Sequence, residues 1–285
     1  MVNAPSVDVE DWFHMLELES TPDVGRWSSL ESRIERNFHV LLDTFDQEDI
    51  KVTCFFLGWA AERFPHLIRE AARRGHEFAY HRYAHQLFYT QSRDEFAGGI
   101  RRAKRILEDL TGFTVEGYRA PSFSITAATP WVFEKLRTAG FHYDPSVLPA
   151  VPGHSGIENA ELRPHVITTQ TGPIIAFSIS VALIMSRQKC FFRGCYLQPF
   201  PYPILHRMTR AVNDHGRSVI FYVHPREIDP SHPRLPVGLV RRFKSYVNLR
   251  SALTKLKRPL KDQRLDTFGE WLPKNGRELK SAAAS

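Results

Sequence analysis

Two kinds of apolar run alternate along this chain, and their periods separate strands from helices. Residues 7–9 read as a short strand, and residues 52–57 form a continuous apolar stretch rich in β-branched and aromatic side chains, as buried parallel strands are. Between them Ile34, Phe38, Leu41, Leu42 and Phe45 recur at three- and four-residue steps, so the spacing predicts a helix over 30–48. The alternation continues with a helix over 60–74 that Gly75 ends, a strand over 77–80 and a helix over 93–110 closed by Thr111-Gly112. A strand at 117–119, a helix over 130–139 and a strand at 141–144 follow. Past a Pro/Gly-rich loop at 151–156 come strands around 166–169 and 174–178, a helix over 203–214 and a strong strand at 218–224. Residues 237–256 read as helical and basic.

This strand–helix repetition predicts an α/β fold, a parallel-stranded barrel or a related sheet. No internal repeat or low-complexity linker interrupts it, so residues 1–285 read as one domain with a basic helical C-terminal extension from about residue 237. The polar residues fall in a telling place. Asp8, Glu10, His81, Arg119, Asp144 and His224 each sit at or just past the C-terminal end of an expected strand, the end that carries the active site in parallel barrels.

Composition adds a charge of +7 and a pI near 9.4, with Arg241, Arg242, Lys244, Arg250, Lys255, Lys257, Arg258, Lys261 and Arg264 gathered late. Such a run reads first as a solvated helical face and next as peripheral contact with an anionic membrane surface or an acidic substrate; nucleic acid is not expected. Three cysteines have no zinc-ribbon spacing. Cys54 falls in an apolar run and reads as a buried thiol, while Cys190 and Cys195 are close enough to raise a pairing. No stretch approaches 18 uncharged apolar residues, and the start has no apolar signal region. The expectation is a soluble cytoplasmic protein, or one working at the inner face of the membrane.

The chemistry begins with His81 and His85, four residues apart, a spacing that on one helical turn aims both imidazoles at one ion. The cluster Asp8-Val9-Glu10-Asp11 leaves a short apolar strand and can supply an oxygen ligand and a general base. Together they form the His-His-carboxylate set of catalytic zinc sites, which keep a position open for water. Period-two alternation puts Asp8 and Glu10 on one face and Asp11 on the other, so Glu10 is the expected ligand and Asp11, otherwise an N-cap or salt-bridge residue, the alternative.

Several stretches resemble the carbohydrate esterase 4 polysaccharide deacetylases, the NodB-homology family. They are Ser6–Phe13, Gly75–His85, Gly117–Ser124, Phe141–Ser146 and Phe221-Tyr222-Val223-His224-Pro225-Arg226-Glu227-Ile228-Asp229-Pro230. With Arg242–Leu249 they look closest to the branch linked to exosortase and exopolysaccharide gene clusters. The resemblance implies a distorted (β/α) barrel, a divalent metal that is usually zinc, and removal of N-acetyl, sometimes O-acetyl, groups from sugar polymers. It also implies roles: His81 and His85 as metal ligands, Asp8 as the base that takes a proton from water, and Arg119 orienting Asp8. His224 matches the acid that protonates the departing amine, and Asp144 the carboxylate holding that histidine's other nitrogen. Trp12, Phe123 and Tyr143 are the expected sugar-contacting residues, with core packing the competing role for the first two. Tyr80 and Arg82 depart from the small or hydroxyl residues common beside the metal pair, and would narrow the groove.

The partner implied is an N-acetylated oligo- or polysaccharide, or a lipid-linked precursor. Two readings compete within the enzymes and outside them: a barrel hydrolase of another, cyclic amide, and a carbohydrate-binding homologue without activity. The second predicts loss of the base or the acid, and Asp8 and His224 are both present. A basic membrane- or nucleic-acid-binding module would show binding without hydrolysis.

Overall fold

The computed structural model describes residues 1–15, 21–84, 92–149, 156–184, 187–190 and 200–274, with the backbone alone for 182–184 and 187–190. In chain order the strands are β1 (Ala4–Val9), β2 (Thr53–Phe56), β3 (Glu77–Tyr80), β4 (Gly117–Tyr118), β5 (Tyr143–Val147), β6 (His165–Thr169), β7 (Gly172–Ser178), β8 (Val181–Ile184), β9 (Arg187–Cys190) and β10 (Ile220–Val223). The helices are α1 (Ile34–Gln47), α2 (Gly58–Arg63), α3 (Pro65–Arg73), α4 (Arg93–Thr111), α5 (Trp131–Thr138), α6 (Tyr202–Asp214), α7 (Leu239–Tyr246) and α8 (Leu249–Asp262).

Eight strands form one sheet in the order β10-β1-β2-β3-β4-β5-β7-β6, parallel throughout except for the β6–β7 hairpin. The sheet curls into a half-barrel within one mixed α/β domain, in keeping with the α/β fold that the strand alternation predicts. Period two then sorts each strand's side chains. Val7, Val9, Cys54, Phe56, Phe78, Tyr80 and Tyr118 face outward and make the main core with the helices, chiefly Phe38, Leu41, Phe45, Phe96 and Ile100. Ala4, Phe55, Ala79, Tyr143, Ile175 and Phe177 face inward, where Phe268 and Trp271 close the base. That closure is tied to the sheet: Asn3 N–H donates to Arg264 O at 2.8 Å, and Gly269 N–H to Glu77 Oε2 at 3.0 Å.

Several boundaries differ from the sequence reading for local reasons. The helix expected over 60–74 is two helices, because Pro65 has no N–H to continue α2 and instead starts α3. The basic segment is likewise split, with Asn248 at φ 51° between α7 and α8. The strand expected at 141–144 runs over Tyr143–Val147, so Asp144 is its second residue rather than its end. Cys54 is fully buried, as expected, and burial pushes its thiol well up. The Cys190–Cys195 question falls outside the described residues.

Candidate active site

The parallel pairing of β10, β1, β2, β3 and β4 aligns their C-terminal ends, so residues just past them meet at one rim. Asp8 is inward-facing on β1, Glu10 follows that strand, and His81 follows β3. All three are buried, and one ligand atom from each lies within 4.8 Å of the others. His81 Nε2 is 2.8 Å from Glu10 Oε1 and 4.0 Å from Asp8 Oδ2. His224, just past β10, brings its Nε2 to 3.9 Å from Asp8 Oδ2 and 4.0 Å from Glu10 Oε2.

His81 Nδ1 meets the backbone carbonyl of Arg119 at 2.9 Å. A carbonyl can only accept, so Nδ1 carries the hydrogen and Nε2 is the nitrogen aimed at the carboxylates, the orientation a metal-binding imidazole needs. Burial pushes the His81 ring down, but the charges of Asp8 and Glu10 outweigh it and hold it up. Two buried carboxylates facing two imidazoles, one oriented by a backbone carbonyl, fit a divalent cation.

Arg119, fully buried just past β4, donates from Nη1 to Asp8 Oδ1 at 2.5 Å and to Ser6 Oγ at 3.0 Å. Its guanidinium lies 3.9 Å from the Phe55 ring centroid. The grip on Asp8 is therefore through one nitrogen, with the aromatic face fixing the plane of the fork. The turn after it is strained: Ser122 and Phe123 both take positive φ, 49° and 53°. Phe123 is buried against Tyr222 at 5.4 Å, with Leu148 and Ile179 in the same cluster.

Asp11 faces elsewhere. Its carboxylate accepts from Trp12 N–H at 2.9 Å, Ser32 Oγ at 2.5 Å, Arg33 N–H at 2.9 Å and Ile34 N–H at 3.2 Å. Arg33 and Ile34 open α1, so Asp11 caps that helix from a distance and pins the loop after Glu10 to it. Burial raises its carboxyl more than these donors lower it. Of the two acidic residues after Val9, Glu10 is the one the fold turns into the cluster.

Five expectations are corrected. His81 and Arg82 are not helical: Arg82 takes φ 67°, and its carbonyl accepts Gly58 N–H at 2.8 Å, docking the segment on α2. His85 lies outside the described residues. Asp144 does not reach His224; its Oδ1 accepts Ser146 N–H at 2.8 Å, and burial pushes its carboxyl up to about 7. The carboxylate against His224 is Glu227, with Oε1 at 3.1 Å from Nδ1. The sequence reading gave Glu227 no role, although Pro225 and Glu227 one and three places after His224 have the spacing of a capped helical start. Tyr143 sits inside the base of the half-barrel, donating to Glu77 at 2.7 Å and stacked on Phe268, where no sugar reaches it. Tyr80 faces the outer core against Tyr118 and Phe141, so it does not narrow the groove. Trp12 is 7% exposed, packs with Phe13 and Leu235, and donates its indole N–H to Glu31 O at 2.9 Å.

Residues 23–142 match the family model for polysaccharide deacetylases, and residues 145–273 that for a domain of unknown function, DUF3473. Over 81 residues the chain is 33% identical to the peptidoglycan-N-acetylglucosamine deacetylase of Bacillus cereus, taking in 28% of this chain and 30% of that one. The chain spans about a third of the length of the curated relatives it matches. Among solved structures, a candidate polysaccharide deacetylase from Mycobacterium smegmatis superposes with a TM-score of 0.64 at 18% identity, over 98% of this chain and 92% of that one. The allantoinase Puue superposes with a TM-score of 0.61 at 17% identity, over 93% and 85%. These two likenesses are of fold.

Proposed function

Because the chain carries a polysaccharide deacetylase domain followed by DUF3473, we propose that it hydrolyses N-acetyl groups of an amino-sugar polysaccharide or its lipid-linked precursor, releasing acetate. The observation that carries this reading is the buried convergence of Asp8, Glu10, His81 and His224, with Arg119 on Asp8. Glu10 and His81, with His85 as the further ligand the family resemblance implies, would hold a divalent ion, zinc by the softness of an imidazole-rich set. When bound, that ion polarises the acetyl carbonyl and makes water acidic enough to attack it near neutral pH.

The chain's own residues do the rest. Asp8 takes a proton from the attacking water, and the Arg119 guanidinium aims its carboxylate. His224, on the other side of the carboxylate pair, gives a proton to the departing amine. Glu227 holds the opposite nitrogen of that ring and so fixes its orientation for this step. The products are acetate and a free amino sugar.

The test is acetate release from N-acetylglucosamine oligomers, with metal content measured, for wild type, Asp8→Asn and His81→Ala. Metal-dependent acetate in the wild type, lost in both variants, is the expected result. Metal retained by Asp8→Asn but lost by His81→Ala separates base from ligand. Metal-loaded wild type that opens a cyclic amide and leaves acetylated glycans intact would overturn the substrate assignment.

A further inference from the structure

Helix α7 turns its apolar side chains to solvent. Leu239, Val240 and Phe243 are 83%, 72% and 60% exposed, while Tyr246 is the residue the helix buries. Positions i, i+1 and i+4 lie on one side of a helical turn, so these three make a continuous patch rather than scattered exposures. Arg242 and Lys244 stand beside them, both exposed, with no carboxylate partner among the described residues. No Asp or Glu occurs between Asp229 and Asp262, a stretch holding nine Lys and Arg. An apolar turn bordered by cations and free of acid is complementary to one kind of surface: anionic headgroups over an acyl boundary. No helix among the described residues is long and apolar enough to cross a membrane, so the contact would be peripheral.

The helix is also fixed to the rim that carries the site. Tyr246 Oη accepts Leu235 N–H at 3.0 Å, and Leu235 packs in one cluster with Trp12 and Phe13, the residues that follow Glu10 and Asp11. We propose that α7 seats the protein on an anionic bilayer, with Leu239, Val240 and Phe243 entering the boundary between headgroups and acyl chains. The docking itself does not depend on the hydrolase reading. Its consequence does: a glycan still attached to its lipid carrier would meet the site mouth at the surface.

The experiment is flotation of the full chain with vesicles of phosphatidylcholine alone or mixed with phosphatidylglycerol, at low and high salt. Wild type should float with the anionic vesicles at low salt and stay behind with the neutral ones. Leu239→Ser/Val240→Ser/Phe243→Ser should weaken binding about tenfold or more, and Arg242→Glu or Lys244→Glu roughly fivefold each. Circular dichroism and thermal unfolding of each variant separate lost docking from lost folding. No preference for anionic vesicles, or a triple variant that floats as wild type does, would overturn the proposal. So would a lipid-free dimer that the triple variant abolishes, which would make the patch a contact between two copies of the chain.

Discussion

His224 Nδ1 lies 3.1 Å from Glu227 Oε1, and the other oxygen of the same carboxylate accepts the His224 backbone N–H at 2.9 Å. One 3₁₀ turn, Pro225–Ile228, makes both contacts, so ring and carboxylate are fixed by adjacent backbone rather than by distant strands. The Nδ1 contact is at ion-pair distance but off the line of an aligned hydrogen bond, so charge dominates it. Burial pushes the Glu227 carboxyl up, yet the His224 ring and backbone, with Arg226, outweigh it and hold Glu227 below the usual glutamate range. The pair is therefore a charged carboxylate held against the Nδ1 side of the His224 ring.

Glu227→Gln keeps the shape and removes the charge. With His224 as the acid, kcat should fall about 10- to 100-fold, within the range positioned acid–base groups contribute. KM should change little, because Glu227 acts on the His224 ring rather than on the sugar. Asp144→Asn should leave the His224 step in place and cost much less in kcat, since Asp144 bonds Ser146 instead. A kcat that falls for Asp144→Asn and not for Glu227→Gln would reverse the assignment.

Glu10 and Asp11 are neighbours with opposite duties, and their variants should separate cleanly. Glu10→Gln should lose metal, measured by titration calorimetry, with little change in the unfolding midpoint. Asp11→Ala should retain metal affinity within a few-fold while losing about 1–3 kcal/mol of stability, because Arg33 and Ile34 N–H groups are left without their acceptor. Urea unfolding of both variants checks the second half; a stable Asp11→Ala that has lost its metal would make Asp11 the ligand.

What could be read from the sequence follows from which interactions are local. The strands showed because a parallel sheet covered on both faces needs continuous apolar runs, and 52–57 is one. Period two also turned Glu10, not Asp11, toward Asp8. The helical presentation of His81 failed because a tertiary bond, Gly58 N–H to the Arg82 carbonyl, holds Arg82 in a left-handed conformation that spacing does not reveal. Asp144 was misplaced because its strand continues through Pro145 to Val147. Alternation separates the faces of a strand but not its base from its mouth. Tyr143 therefore looked like a sugar contact although it packs at the closed end.

Gly117 answers to Tyr143. A Cβ on Gly117 would stand 2.2 Å from the Tyr143 hydroxyl oxygen and 2.2 Å from its Cζ, far inside contact distance. Tyr143 cannot retreat, since it is stacked on Phe268 and bonded to Glu77. Gly117→Ala should cost about 1–3 kcal/mol, the usual penalty for overpacking a filled core. Tyr143→Leu in the same background should recover part of it. Denaturant midpoints of the single and double variants decide; additive losses would mean that the two residues do not collide.

His76 should give the fold a dependence on mild acid. It is buried and its Nδ1 accepts Val52 N–H at 3.3 Å, while burial, and next the charge of Lys51, push the ring down to about 4. The folded protein thus keeps His76 neutral where the unfolded chain, with an ordinary histidine near 6.5, takes up a proton. Protons bind the unfolded state more strongly between those values, so this contribution is complete above about pH 6.5 and is lost as pH falls toward 4. It amounts to roughly 3 kcal/mol at the limit. His76→Gln keeps an acceptor for Val52 and cannot titrate, so the stability gap between wild type and variant should shift in the variant's favour from pH 7 to pH 4.5. Urea midpoints across that range measure it, and two curves that stay parallel would mean that His76 is already protonated in the folded state or solvated by water.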